Sequence, residues 1–345
     1  GIVTARDILF EKDDQKKVGE VMTKKVITAP INISPSKAKE ILHKYRIEKL
    51  PLVSKNGIVK GLITSKDILK KSLNPYASKD KKGRLLVGAS IGVKEDAMAR
   101  TKALLDAGAD IIVVDIAHGH NVRAVEMVKV LKKKFHGIEV VAGNVATAEG
   151  TIDLIKAGAD AIKVGIGPGA ACTTRVVTGV GVPQLTAIME CANVASKYGI
   201  PIIADGGVKN SGDFSKAFAA GASSVMIGSL FAGTDEAPGE YVIEDGVAYK
   251  LYRGMASRDA AEDKMRLDGV DPDATVGTGG FSRNPEGKAG RVSYRGSAKN
   301  VVGDLMGGLR SSMSYLGAKN LKEFAKNAEF IKITRASFKE GQARN

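Results

Sequence analysis

The chain has no tryptophan, and aromatic residues make up only 5% of its 345 positions. Stacking platforms for nucleic-acid bases are therefore scarce. Cysteine is almost missing as well, with two in all; this excludes a disulfide framework and makes the reducing cytoplasm the expected location. There are four histidines and no cysteine-carboxylate cluster near them, so His118 and His120 are not expected to form a metal pair. No apolar run approaches the ~20 residues of a membrane span, so no membrane partner is expected. Charge is the one surplus, +14 net. Its lysines and arginines are scattered through segments such as 79–82 and 132–134, which describes a solvated basic surface attractive to anionic nucleotides rather than a nucleic-acid groove.

Two patterns fill the chain. Gly1-Ile-Val-Thr-Ala-Arg-Asp-Ile-Leu9 returns as Gly61-Leu-Ile-Thr-Ser-Lys-Asp-Ile-Leu69, which marks a repeated unit. Between the copies lie Val26-Ile-Thr28, a helix over about Ser36 to Tyr45, and a strand-like Leu50-Pro-Leu-Val53. From Leu85 onward short apolar runs alternate with amphipathic helices. Strands are expected at Leu85 to Ala89, Ile111 to Asp115, Glu139 to Ala142, Ala161 to Val164, Pro201 to Ala204 and Ser224 to Ile227. Three near-identical turns announce strands: Ala107-Gly-Ala-Asp110, Ala157-Gly-Ala-Asp160 and Ala220-Gly-Ala-Ser223. Such units predict an α/β fold with a parallel sheet, most economically a TIM (β/α)8 barrel, with a doubly wound open sheet as the alternative. A closed barrel needs eight strands. The visible ones are thus expected to be the third to the eighth, in a fragment that folds poorly alone.

One stretch carries chemistry. Gly165-Ile-Gly-Pro-Gly-Ala-Ala-Cys-Thr-Thr-Arg175 follows the strand Ala161 to Val164, and its glycines and proline forbid a helix or strand. Cys172 therefore stands at the C-terminal end of a strand, where barrels place their active groups. A buried cysteine also serves as filler, but this loop and the hydroxyls of Thr173 and Thr174 favour a nucleophile. Cys191, inside the helix from Gln184 to Tyr198, reads as packing. Asp115 and Asn144 are polar side chains at the same strand ends. The loops Asp205-Gly-Gly207 and Gly228-Ser229 are small enough for backbone N–H groups to approach a phosphate. From Arg258 to Gly290 runs a long, polar, glycine-bearing segment, expected to be a lid.

The cysteine loop, with Gly181-Val-Pro-Gln184 after it, closely resembles the IMP dehydrogenase and GMP reductase family, and the resemblance extends over essentially the whole chain. It implies that Cys172 attacks C2 of a purine nucleotide monophosphate, with Thr174 and Glu286 of Pro285-Glu-Gly287 as a proton relay. It also implies that Asp205 holds the ribose, that Gly207, Gly228, Ser229 and Tyr252 meet the phosphate, and that Gly254, Met255 and Ala256 line the purine. Asp115 and Asn144 would serve the cofactor, NADPH or NAD. The carbonyls of Gly167, Gly169 and Cys172 would bind a monovalent cation, potassium, completed by a neighbour's C-terminal segment in a homotetramer. Without the resemblance Glu286 would be only a solvated loop carboxylate. Residues 1–80 resemble a CBS domain pair whose first repeat is partly present, which implies a regulatory nucleotide; residues 81–345 would be the catalytic barrel, with its flap at about 258–290. One departure is plain: Ala170 stands where the family usually has a phosphate-binding serine.

Direction divides the family. Hydrolysis in the dehydrogenase depends on an arginine-tyrosine pair in the flap, and Arg258 to Asn284 contains no tyrosine. Ser314-Tyr315 with Gly317-Ala318 is also reductase-like, whereas the CBS modules and His118-Gly-His120 are dehydrogenase-like. The balance leans to GMP reductase, with IMP dehydrogenase as the alternative. A flavin-binding barrel, or a nucleotide-binding module without catalysis, stays open on the residues alone.

Overall fold

The computed structural model describes all residues except 74, 75, 82, 268, 270–283 and 342–345. It divides into two compact units, Gly1–Leu86 and Val87–Asn345.

In the first unit the sequence repeat becomes a repeated turn. Thr4 donates its N–H and hydroxyl to Asp7 Oδ2, both at 2.7 Å, and Thr64 does the same to Asp67 Oδ2 at 2.9 and 2.7 Å. Each threonine thereby starts a helix, Ala5–Ile8 and Ser65–Leu73, in the reciprocal manner of a capping box. The threonine hydroxyl is the main reason that both aspartates lie below the usual carboxylate range. Three strands, β1 (Ala29–Pro30), β2 (Lys49–Val53) and β3 (Val59–Thr64), form one sheet in that order. The helix Pro35–Tyr45 begins one residue before its expected start, because Ser34 accepts the Lys37 N–H and Pro35 takes a position that needs no donor. Ala38, Leu42 and Leu50 bury the contact between helix and sheet.

The second unit is built on six strands: β4 (Gly88–Ile91), β5 (Ile111–Asp115), β6 (Glu139–Val145), β7 (Ala161–Val164), β8 (Ile202–Asp205) and β9 (Ser224–Met226). All neighbouring pairs are parallel and the spatial order equals the chain order. A doubly wound sheet reverses its order at a switch point; this one never does, so the winding is that of a barrel wall. Helices Ala97–Asp106, Val122–Lys134, Ala148–Lys156, Gln184–Ala195 and Ser211–Ala219 make the crossovers. Ile112, Val114, Ile162, Val164, Ile202 and Ala204 bury one face of the sheet against them.

The recurrent turns work as strand starters. In Ala107-Gly-Ala-Asp110 the glycine has φ +97°, and Asp110 Oδ2 accepts the Val87 N–H at 2.8 Å. Asp160 likewise accepts from Val140 at 2.7 Å, and Lys132 pairs with it at 2.8 Å. This device corrects the first strand. Val87 is tied to Asp110, so the ladder opens at the pair Gly88–Ile111 rather than at Leu85.

A second sheet was not expected from the sequence. β10 (Tyr241–Glu244), β11 (Val247–Arg253) and β12 (Ala289–Ser293) are antiparallel, with Asp245 and Gly246 at φ +50° and +75° forming the two-residue turn between the first two. The segment expected to be a lid is partly regular: Arg258–Leu267 is a helix and Ala289 onward is strand. Its middle, 270–283, lies outside the described residues, as does Arg283. The helix Ala298–Tyr315 packs on Ser211–Ala219, where Gly308 makes room for Ser211.

Candidate active site

The strand pleat decides which side chains meet. Asp115, Lys163 and Asp205 all point to the face opposite Ile112, Ile162 and Ala204, because successive residues of a strand alternate. They lie at the C-terminal ends of β5, β7 and β8 or just before them, and there the loop after β7 arrives with Cys172.

Cys172 is half-buried, and its Sγ lies 3.2 Å from Thr174 Oγ1. Thr174 Oγ1 in turn donates to Glu286 Oε2 at 2.8 Å. The three groups thus form one hydrogen-bond chain from thiol to carboxylate. Backbone pairing brings the distant glutamate there. Thr173 N–H donates to the Glu286 carbonyl at 2.8 Å and Lys288 N–H to the Ala171 carbonyl at 2.9 Å, with Cys172 bridged to Gly287. On its other side the same segment meets Gly254 and Ala256: Gly254 N–H reaches the Lys288 carbonyl and Glu286 N–H the Ala256 carbonyl, each at 3.1 Å. Gly287 lies between the two, and a Cβ there would come within 2.9 Å of Ser257 N.

The loop's glycines make room for side chains and backbone. A Cβ on Gly167 (φ +85°) or Gly181 would approach Arg175 Cγ to 2.6 Å; Arg175 crosses there to donate to the Val182 carbonyl. Gly169 O accepts the Cys172 N–H at 3.1 Å. The carbonyls of Gly167, Gly169 and Cys172 all belong to this turn. Oxygen donors of that kind suit a hard monovalent cation, and Gly169 O retains a second lone pair.

A cleft of about 750 Å³ is lined by Asp115, Asn144, Gly167, Gly169, Cys172, Thr174, Asp205, Tyr252, Gly254, Met255, Ala256 and Glu286. A smaller cavity of about 130 Å³ adjoins it, lined by Ala170, Gly206, Gly207, Lys209, Gly228 and Ser229, with Gly169, Asp205 and Tyr252 common to both. Every site residue expected from the sequence therefore borders one of two connected spaces. The alanine at 170 brings no hydroxyl to the small cavity, whose serine is Ser229; Lys209 is the cation among its lining residues. Desolvation, and then the Asp205 carboxylate, push the Tyr252 phenol above its ordinary value, so it stays a neutral O–H donor. Met255 is 90% exposed and offers its backbone rather than a packed side chain.

Two residues of the site were missed in the sequence. Lys163, 3% exposed, pairs with Asp205 at 2.5 Å and Asp115 at 3.1 Å; a lysine inside a short apolar strand was the available signal. Gln184 donates to the Val164 carbonyl at 2.9 Å and the Asp205 carbonyl at 3.2 Å. Asn144 also turns toward this cluster, donating to the Gly165 carbonyl at 2.7 Å and Asp205 Oδ2 at 3.0 Å. His118 and His120 do not join it: His120 pairs with Asp153 at 3.0 Å. No metal-binding group of three His, Cys, Asp or Glu side chains exists among the described residues.

Comparison with known proteins decides the family. A domain described as "IMP dehydrogenase / GMP reductase domain" matches residues 8–344. The chain belongs to the IMP dehydrogenase / GMP reductase family. It is 54% identical over 343 residues to inosine-5'-monophosphate dehydrogenase of Aquifex aeolicus, covering 99% of this chain and 69% of that one. The Nitrosopumilus maritimus dehydrogenase is 51% identical over 349 residues, covering 99% and 71%. Among solved structures, a cysteine-to-alanine variant of Trypanosoma brucei GMP reductase in complex with guanosine 5'-monophosphate superposes with a TM-score of 0.90 at 42% identity, covering 100% of this chain and 70% of that one. The family consists of NAD(P)-dependent oxidoreductases of purine nucleotide monophosphates, and this chain is an enzyme of that class. Among the described residues no helix is long and apolar enough to cross a membrane.

Proposed function

We propose that the chain is a GMP reductase, converting GMP and NADPH to IMP, ammonia and NADP⁺ through a thioimidate on Cys172. The observation that carries this reading is the hydrogen-bond chain Cys172–Thr174–Glu286, whose glutamate follows a stretch, Arg258 to Asn284, with no arginine-tyrosine pair for activating water. Thiolate Sγ adds to C2 of the purine. The 2-amino group then leaves as ammonia, taking the proton that the Cys172 thiol passed through Thr174 to Glu286 on ionising and that returns along the same hydrogen bonds. NADPH, when bound, would supply the hydride that C2 takes up as the C–S bond breaks, returning the Cys172 thiolate and IMP. In that complex Asp205 takes the ribose, while Gly207, Gly228, Ser229 and the Tyr252 hydroxyl take the phosphate. Gly254, Met255 and Ala256 flank the base, and Asp115 and Asn144 face the nicotinamide. The polar lining of the cleft around Cys172, with Asp115, Asn144, Asp205 and Tyr252, supports nucleotide binding there. Potassium on the carbonyls of Gly167, Gly169 and Cys172 would steady the loop.

A second reading, IMP dehydrogenase producing XMP with NAD and water, is favoured by the names of the 54% and 51% identical relatives. The reductase structure, at 42%, supports the first. The repeated threonine caps of the first unit support the repeat read in residues 1–80; the CBS domain, its regulatory nucleotide, the homotetramer and the cytoplasmic location rest on family resemblance. Initial rates with GMP plus NADPH and with IMP plus NAD test the assignment. The reductase rate should be the larger, and faster XMP formation would install the dehydrogenase in its place.

A further inference from the structure

Lys163 is a charge that the thiol relay does not use. It sits in β7 between Ile162 and Val164, both fully buried, and lysine is almost never buried unless paired. The register explains how it finds partners. Gly143 of β6 stands opposite Asp115 on one side and Lys163 on the other. A Cβ on that glycine would lie 2.8 Å from Lys163 Cβ. The bare position opens a path over β6, along which Lys163 Nζ reaches Asp115 Oδ1 at 3.1 Å, while on its other side, at the end of β8, it meets Asp205 Oδ2 at 2.5 Å.

Asp205 is held from several directions. Lys163 and Asn144 both donate to Oδ2, and Gln184 donates to its main-chain carbonyl. Oδ1 receives no donor among the described residues. We propose that Lys163 is a positioning residue: by fixing Oδ2 it presents Oδ1 to the ribose hydroxyls, and through Asp115 it couples the nucleotide end of the cleft to the dinucleotide end. This rests on the reading of Asp205 as the ribose acceptor. The argument is electrostatic. Without the ammonium, two carboxylates share one niche with no cation between them, and repulsion drives one to rotate away or take up a proton. A rotated or protonated Asp205 is a poorer acceptor for two hydroxyls.

The test is calorimetric titration of the chain with GMP, without dinucleotide, and with thermal melts to establish folding. Lys163→Met should weaken GMP binding by about tenfold or more, the usual scale for a lost hydrogen bond to a charged group. Lys163→Met combined with Asp115→Asn should bind several-fold better than Lys163→Met alone, since it removes the like charge without adding any nucleotide contact. A purely structural lysine would give no such recovery. Should Lys163→Met fail to fold, Lys163→Gln, which keeps an N–H donor without the charge, should show a smaller loss in the same sense. Wild-type affinity in the folded lysine variants, or no recovery in the double variant, overturns the proposal. A wild-type chain that binds neither GMP nor IMP overturns the substrate reading itself.

Discussion

Cys172 and Cys191 belong to one strand-loop-helix unit, and their surroundings could hardly differ more. Cys172 lies in a loop that glycines keep open, half-exposed, with a hydroxyl at 3.2 Å and a carboxylate one bond further on. Cys191 lies inside the helix Gln184–Ala195, fully buried, with the Thr147 carbonyl 3.5 Å from its Sγ and, among the described residues, no carboxylate relay behind it. Burial pushes its thiol up to about 11. Sulfur chemistry is thus assigned by access and by a path for the proton, not by the residue type.

The largest effect should come from removing the first thiol. Cys172→Ala should lower turnover roughly 10⁴-fold or more while GMP still binds, as steady-state rates and titration would show; substantial residual rate would break the comparison. Next come the groups behind it. Thr174→Val and Glu286→Gln should each slow ammonia release by about 10²- to 10⁴-fold, the usual worth of general acid-base help. Combining them should cost little more than either alone, because one relay is lost in each case.

Alkylation sharpens the contrast without mutagenesis. Iodoacetamide at neutral pH should label the peptide of Cys172 and leave that of Cys191 unlabelled until the protein is denatured, as peptide mass spectrometry would read. The smallest effect concerns Cys191 itself. Its folded thiol is raised above an ordinary one, so the unfolded chain ionises first, and the stability this confers is full at neutral pH and lost as pH climbs from about 9 to about 11. Cys191→Ser should flatten that part of the melting-temperature profile relative to wild type. Turnover should not change.

The sequence yielded much of this contrast, for reasons that differ by residue. The strand before Cys172 and its glycine-rich loop are local patterns, as is the helix around Cys191. The Asp110 and Asp160 turns recur because each aspartate must accept a backbone N–H from the neighbouring strand, so they too were readable. Glu286 was not. It reaches Thr174 only because β12 pairs with β11 and folds the segment back, a contact across 112 positions that nothing local encodes. The hairpin β10–β11 carried a local Asp-Gly signal and was overlooked. Lys163 lies within an apolar strand, and its meaning appears only when Gly143 is placed between it and Asp115.

The most direct measurement is of the bond that Cys172 is held to form. The chain is incubated with GMP and NADP⁺, which occupies the dinucleotide site but gives no hydride, then quenched in acid and digested for mass spectrometry. The account predicts an adduct of GMP less ammonia on the peptide containing Cys172, missing in Cys172→Ala and strongly reduced in Glu286→Gln. No adduct, or an adduct on Cys191, would contradict it.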